Sequence, residues 1–106
     1  MAVYLDDWRQ PARLGTVDDR WSHLVADDED ELHAFAFQMG MRREWYQQKE
    51  ARPHQGHYDV PESARARALS LGAQPVSWRD LGRMLRRRRR GESAAGPPPP
   101  APARAR

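Results

Sequence analysis

The 106-residue chain contains no cysteine. That excludes a disulfide framework and any thiolate metal site. Lysine is nearly absent: Lys49 stands beside seventeen arginines. GC-rich codons produce such a bias without selection for guanidinium chemistry, so arginine counts by themselves argue little. No apolar run approaches the roughly 18 residues of a membrane span. Met1 to Asp7 has neither a basic region nor a long apolar segment, so no signal peptide is expected and a soluble, cytoplasmic protein is the default. No serine or cysteine stands in a nucleophile elbow, no local metal signature of the H-E-x-x-H kind occurs, and no segment repeats.

What is present fits one small domain, long enough for a single core and too short for two. The net charge of +3 hides an asymmetry. Residues 1–82 carry ten basic and fourteen acidic side chains, a net −4, whereas residues 83–106 carry eight arginines and one glutamate, a net +7. The body is mildly acidic, so any contact with nucleic acid is expected through Arg86, Arg87, Arg88, Arg89 and Arg90. A frayed, solvated helix end favoured by the helix dipole explains the same run without a partner.

The pattern along the chain reads as alternating strands and helices. Ala2 to Leu5 and Trp21 to Ala26 are β-favouring runs, joined by an expected loop from Gln10 to Asp19 that holds Pro11 and Gly15. Asp28 with Glu31 resembles a capping box, and Leu32, Phe35, Ala36 and Met39 form an apolar helical stripe closed by Gly40. A short strand is expected from Glu44 to Gln47 and a polar loop from Lys49 to Gly56. His57 to Val60 is extended because Pro61 follows. A helix from Pro61 to Leu71 buries Ala64, Ala68 and Leu71. Gln74 to Val76 is extended, and Ser77 caps a last helix with Trp78, Leu81, Gly82 and Leu85 on its apolar stripe. The expectation is a small layered α/β domain over residues 1–85, with three to four short strands and about three helices. Residues 86–106, rich in Arg, Pro and Ala, are expected to be a disordered tail.

Several stretches resemble, in order, a family of small bacterial and phage proteins. They are Val3-Tyr4-Leu5-Asp6-Asp7, His23-Leu24-Val25-Ala26-Asp27, Glu31-Leu32-His33-Ala34, Trp45-Tyr46-Gln47, His57-Tyr58-Asp59-Val60 and Leu71-Gly72-Ala73. The family is the domain of unknown function numbered 4031, and the resemblance covers residues 1–82. It implies one domain and supplies no activity.

The chemistry-bearing side chains gather at the ends of the apolar runs, where small α/β domains place ligand sites. Asp6, Asp7, Arg9, His23, Trp45, His57, Tyr58 and Asp59 are the candidates for a polar pocket that takes a small, nucleotide-like ligand. His57, Asp59 and Asp6 are the candidates for catalysis, since a carboxylate beside an imidazole fixes its tautomer and raises its basicity. Asp6, His57 and Asp59, with Asp7 and His23, are also the candidates for a divalent metal and a metal-dependent hydrolase. Turn chemistry for Asp6 and Asp7, a helix-dipole contact for Asp59 and a structural His–Asp hydrogen bond explain the same residues. A nucleic-acid accessory protein acting through the arginine run and an interaction module without a site remain as alternatives. Strand alternation directs His57 and Asp59 to one face and Tyr58 to the other. Trp78 is assigned to the core, and His33 and His54 to solvent.

Overall fold

The computed structural model describes residues 2–49 and 52–89, with the side chains of residue 49 and residues 52–55 left aside. Among the described residues the elements run β1 (Val3–Leu5), β2 (Gln10–Leu14), β3 (Val17–Ala26), α1 (Glu29–Gln38), a 3₁₀ turn (Arg43–Trp45), β4 (Gln47–Lys49), β5 (Arg52–Pro61), α2 (Glu62–Ser70), β6 (Gln74–Pro75) and α3 (Trp78–Arg89). The mixed α/β class and the three helices match the expectation; six strands exceed the three to four expected. The extra strands are the ones that carry no apolar signal. Every residue of β2 is exposed, so the Gln10–Asp19 segment has no alternation to mark it, yet it pairs with β3 from Gln10↔Trp21 to Leu14↔Val17 around the turn Gly15-Thr16. Trp21 fastens this hairpin by donating its indole N–H to the Ala12 carbonyl at 2.9 Å.

The sheet order is β4-β5-β3-β1-β6, with β2 on the outer half of β3. β1 and β5 run antiparallel to β3, and β6 runs parallel to β1. Part of the segment expected to loop between Lys49 and Gly56 is instead β5, paired as Lys49↔Arg52. The expected strand around Trp45 is the 3₁₀ turn, and pairing begins only at Gln47.

Strand alternation divides the side chains between two faces. On one face Val3, Leu5, Leu24, Ala26, Tyr58 and Val60 pack with Leu32, Phe35 and Ala36 of α1 and Ala68 of α2. On the other, Tyr4 and Val25 pack against Leu81 and Met84 of α3. Helices therefore cover both faces, and α3 covers the second face alone among the described helices. Asp28 caps α1 by accepting the Glu31 N–H at 3.2 Å, and Ser77 Oγ caps α3 by accepting the Asp80 N–H at 3.0 Å, as their spacing predicts.

Three expectations about burial change. Trp78 is half exposed and Leu71 is 39% exposed; Trp78 is the first residue of α3 and Leu71 the residue that ends α2. His33 is not solvated: its Nδ1 lies 2.7 Å from the Tyr58 hydroxyl and its Nε2 3.2 Å from Glu29. The last helix also continues to Arg89, four residues past the boundary expected at 85. Arg88 reaches back to donate to the Ala26 carbonyl at 2.7 Å and lies 3.8 Å from Asp27. That contact holds the added turn on the body. His54's side chain and residues 90–106 lie outside the described residues.

Candidate functional site

The site grows out of the strand register. Leu5 pairs with Leu24, which sets Asp6, the next residue, beside His23: the Asp6 N–H donates to the His23 carbonyl at 3.0 Å. His23 in turn pairs with Asp59 across β5, and His57, two residues earlier, pairs with Gln47 of β4. Directly opposed residues stand about 5 Å apart at Cβ. Asp6, His23, His57 and Asp59 consequently form a polar row across three strands on the face that α3 covers.

Asp6 anchors this row. Its side chain is 1% exposed. One carboxylate oxygen accepts the His23 backbone N–H at 2.8 Å and the Trp8 N–H at 3.2 Å, and the other lies 2.7 Å from His23 Nδ1. From the opposite face the buried Arg65 of α2 donates to the Asp6 carbonyl at 2.7 Å and to Ser22 Oγ at 3.2 Å. A buried carboxylate needs such partners, and a carboxylate accepting from Nδ1–H leaves Nε2 of His23 as the basic nitrogen. The His57 ring meets His23 edge-on, centroids 5.1 Å apart. His57 Nε2 lies 3.4 Å from Asp59 Oδ1, and the Gln47 side-chain amide donates to the other Asp59 oxygen. Burial by itself would raise the Asp59 carboxyl, but the hydrogen bond and charge of His57, the Gln47 amide and the charge of His23 outweigh it and hold Asp59 below the usual carboxylate value.

A cavity of about 250 Å³ opens above this row. Trp8 and Trp78 line it with His23, His57, Leu81 and Gly82. Trp8 is set over His23, ring centroids 4.9 Å apart, by the turn that its N–H makes onto Asp6. Trp78 begins α3, and its N–H is held by Asp7 at 2.7 Å. Both tryptophans are partly exposed, at 37% and 50%. A broader hollow of about 510 Å³ on the β2–β3 hairpin is lined by Pro11, Ala12, Arg13, Asp18, Asp19 and Arg20, almost all open to solvent.

Of the residues expected at a pocket, the structure brings Asp6, His23, His57 and Asp59 together. It sends the others elsewhere. Asp7 caps α3. Arg9 pairs with Glu62 at 3.4 Å. Trp45 is half exposed on the 3₁₀ turn and is not among the cavity's lining residues. Tyr58 points to the opposite face, where it is buried beside His33. The arginine run is not a uniform phosphate surface either, since Arg88 is committed to Ala26 and Asp27. Sequence reasoning missed Trp8 and Trp78 as rim residues. The available signal was position: Trp8 follows the Asp6-Asp7 pair at a strand end, and Trp78 follows the cap Ser77 at a helix start.

A comparison with known families matches residues 3–88 to DUF4031, described as a protein of unknown function. The chain belongs to the DUF4031 family. No curated protein and no solved structure matches it. The DUF4031 match runs through Arg88, past the residue-82 limit of the sequence resemblance, and so takes in the part of α3 that packs on the body. Among the described residues no helix is long and apolar enough to cross a membrane.

Proposed function

We propose that the domain binds a small, planar, nucleotide-like ligand in the cavity between β1, β3, β5 and α3. The observation that carries this reading is the pairing of two partly exposed tryptophans, Trp8 and Trp78, on one cavity with a hydrogen-bonding floor. Stacking of a base on an aromatic side chain is worth about 1–3 kcal/mol and tolerates any base, because every base has a π-face. His23 and His57, which line the cavity, supply the donors and acceptors that would read the ring's edge. At about 250 Å³ the cavity lies below the range for drug-sized ligands. It suits a ring of base size, with the rest of the molecule outside. There Arg86 is exposed and brings its guanidinium to within 3.4 Å of the position a Cβ on Gly82 would take. That charge suits a phosphate.

Tryptophan fluorescence tests the reading directly, with a panel of bases, nucleosides and nucleoside mono- and diphosphates titrated into the full chain. Saturable quenching is expected for at least one class. Trp78→Ala should weaken it roughly tenfold or more, in line with one lost stacking contact, and Arg86→Ala should weaken only the phosphorylated ligands. Trp45→Phe should change nothing. Absence of saturable quenching across the panel, or quenching that survives the Trp8→Ala/Trp78→Ala double variant, would refute the proposal.

A further inference from the structure

We infer that His23, His57 and Asp59 form a site for a divalent transition-metal ion, of the zinc type, beneath the cavity. The inference stands on geometry separate from the tryptophan rim. Each of the three residues offers one ligand atom, and these atoms lie within 4.8 Å of one another. Bound zinc holds nitrogen and oxygen ligands at roughly 2.0–2.2 Å, so tetrahedral ligands stand a little over 3 Å apart, and closing from the observed spread takes modest side-chain rotation. Two of the residues, His57 and Asp59, share a face by strand alternation, and the third is held across from Asp59 by the register His23↔Asp59. Two neighbouring strands, β3 and β5, thus supply the site.

The supporting residues around the cluster are those a metal site needs. A ligating imidazole works when its other nitrogen is held by a carboxylate, which fixes the ring and makes the free nitrogen a better donor. Asp6 does this to His23: it is buried, is itself held by two backbone N–H groups, and lies 2.7 Å from Nδ1. Gln47 likewise hydrogen-bonds the Asp59 carboxylate and steadies it. Two imidazoles and one carboxylate, without thiolate, favour zinc, cobalt or manganese over calcium and magnesium, which prefer all-oxygen cages. Three protein ligands also leave a fourth position, as catalytic rather than structural zinc sites do. Two of the three ligands, His23 and His57, line the cavity together with Trp8 and Trp78. The metal would therefore meet whatever enters there.

The test uses the metal alone, on the tag-free, chelator-treated full chain. Isothermal titration with Zn²⁺ should show one site. Co²⁺ should give the visible absorption band of a tetrahedral or five-coordinate ion, and excess Mg²⁺ should not compete. His57→Gln and Asp59→Asn change partly exposed side chains and are expected to fold; each should weaken Zn²⁺ binding by 100-fold or more. Asp6→Asn leaves all three ligands in place and should cost 10–100-fold, the usual effect of losing an outer partner. His33→Gln, on the other face, should bind as the wild type does. No heat and no cobalt band at millimolar metal would overturn the inference. So would one-site binding that survives the combined His57→Gln/Asp59→Asn change in a variant whose circular dichroism is native. Neither result bears on quenching by planar ligands, so the two readings fail separately.

Discussion

Asp6 sits at the end of β1 with its carboxylate holding three hydrogens: the backbone N–H of Trp8, the backbone N–H of His23 and the Nδ1–H of the His23 ring. Replacing it with alanine strands two buried or half-buried backbone donors and releases the imidazole. Asp6→Ala should therefore lower unfolding stability by about 3 kcal/mol, the scale for breaking a buried, hydrogen-bonded charge. Urea denaturation measures this, and a loss under about 1 kcal/mol would show that the carboxylate is dispensable to the fold. Asp6→Asn asks a finer question. The amide can turn its NH₂ toward Nδ1, and the ring should then switch tautomer and protonate Nε2, which ¹⁵N chemical shifts of His23 read directly. His33 and Tyr58 show why such roles are hard to see in sequence. His33 flanks an apolar stripe and Tyr58 sits between two polar residues, yet they meet at 2.7 Å across α1 and β5. Only the packing of a helix on a sheet brings residues 25 positions apart into one hydrogen bond.

At the scale of the elements, α3 shows where sequence reading succeeds and where it stops. Ser77 and Asp80 marked its start, because capping is a local interaction over three residues. Its end was not marked, because Arg86 to Arg89 carry no apolar signal and what holds the last turn is a long-range contact: Arg88 onto Ala26 and Asp27. The Arg88 guanidinium is partly desolvated there, and burial lowers its pKa against the opposing pull of Asp27 and Tyr4. Arg88→Ala should cost about 1–2 kcal/mol through the lost charged hydrogen bond and the packed stem. Arg89→Ala, on the exposed side, should stay within about 0.5 kcal/mol of the wild type. Equal melting temperatures for the two variants would show that the final turn does not dock. The same contrast governs the site. The alternation of His57, Tyr58 and Asp59 was legible, since a strand's period is local. That His23 would lie between Asp6 and Asp59 was not, since it depends on the register of three strands far apart in sequence. The β2–β3 hairpin was missed for a third reason: a strand exposed on both faces has no apolar periodicity to read.

Across the whole molecule the two faces titrate in the same direction at high pH. All three tyrosines of the chain have raised pKa values. For Tyr4 the causes are burial and then its hydrogen bond to Asp27; for Tyr46, burial and then the Glu29 charge; for Tyr58, burial first. The folded state keeps these phenols neutral while the unfolded chain ionises them near pH 10. Their contribution to stability is therefore complete below about pH 10 and is lost as pH climbs toward the folded values. Ultraviolet titration near 295 nm should show little tyrosinate until the protein unfolds, followed by a steep, cooperative rise. A gradual, reversible ionisation centred near pH 10 with the fold intact would contradict these environments. The strand order carries a further consequence, for synthesis. β1 precedes β6 and α3 in the order of synthesis, yet it lies between β3 and β6, and the face bearing Tyr4, Val25 and the histidine–aspartate row is roofed by α3. Chains grow at roughly 5–20 residues per second, so β1 can pair with β3 early but waits several seconds for β6 and α3, encoded some seventy residues later. During that interval the hairpin and α1 can form, but a nascent chain stalled before Trp78 lacks both the Trp78 side of the rim and the helix that roofs the cavity.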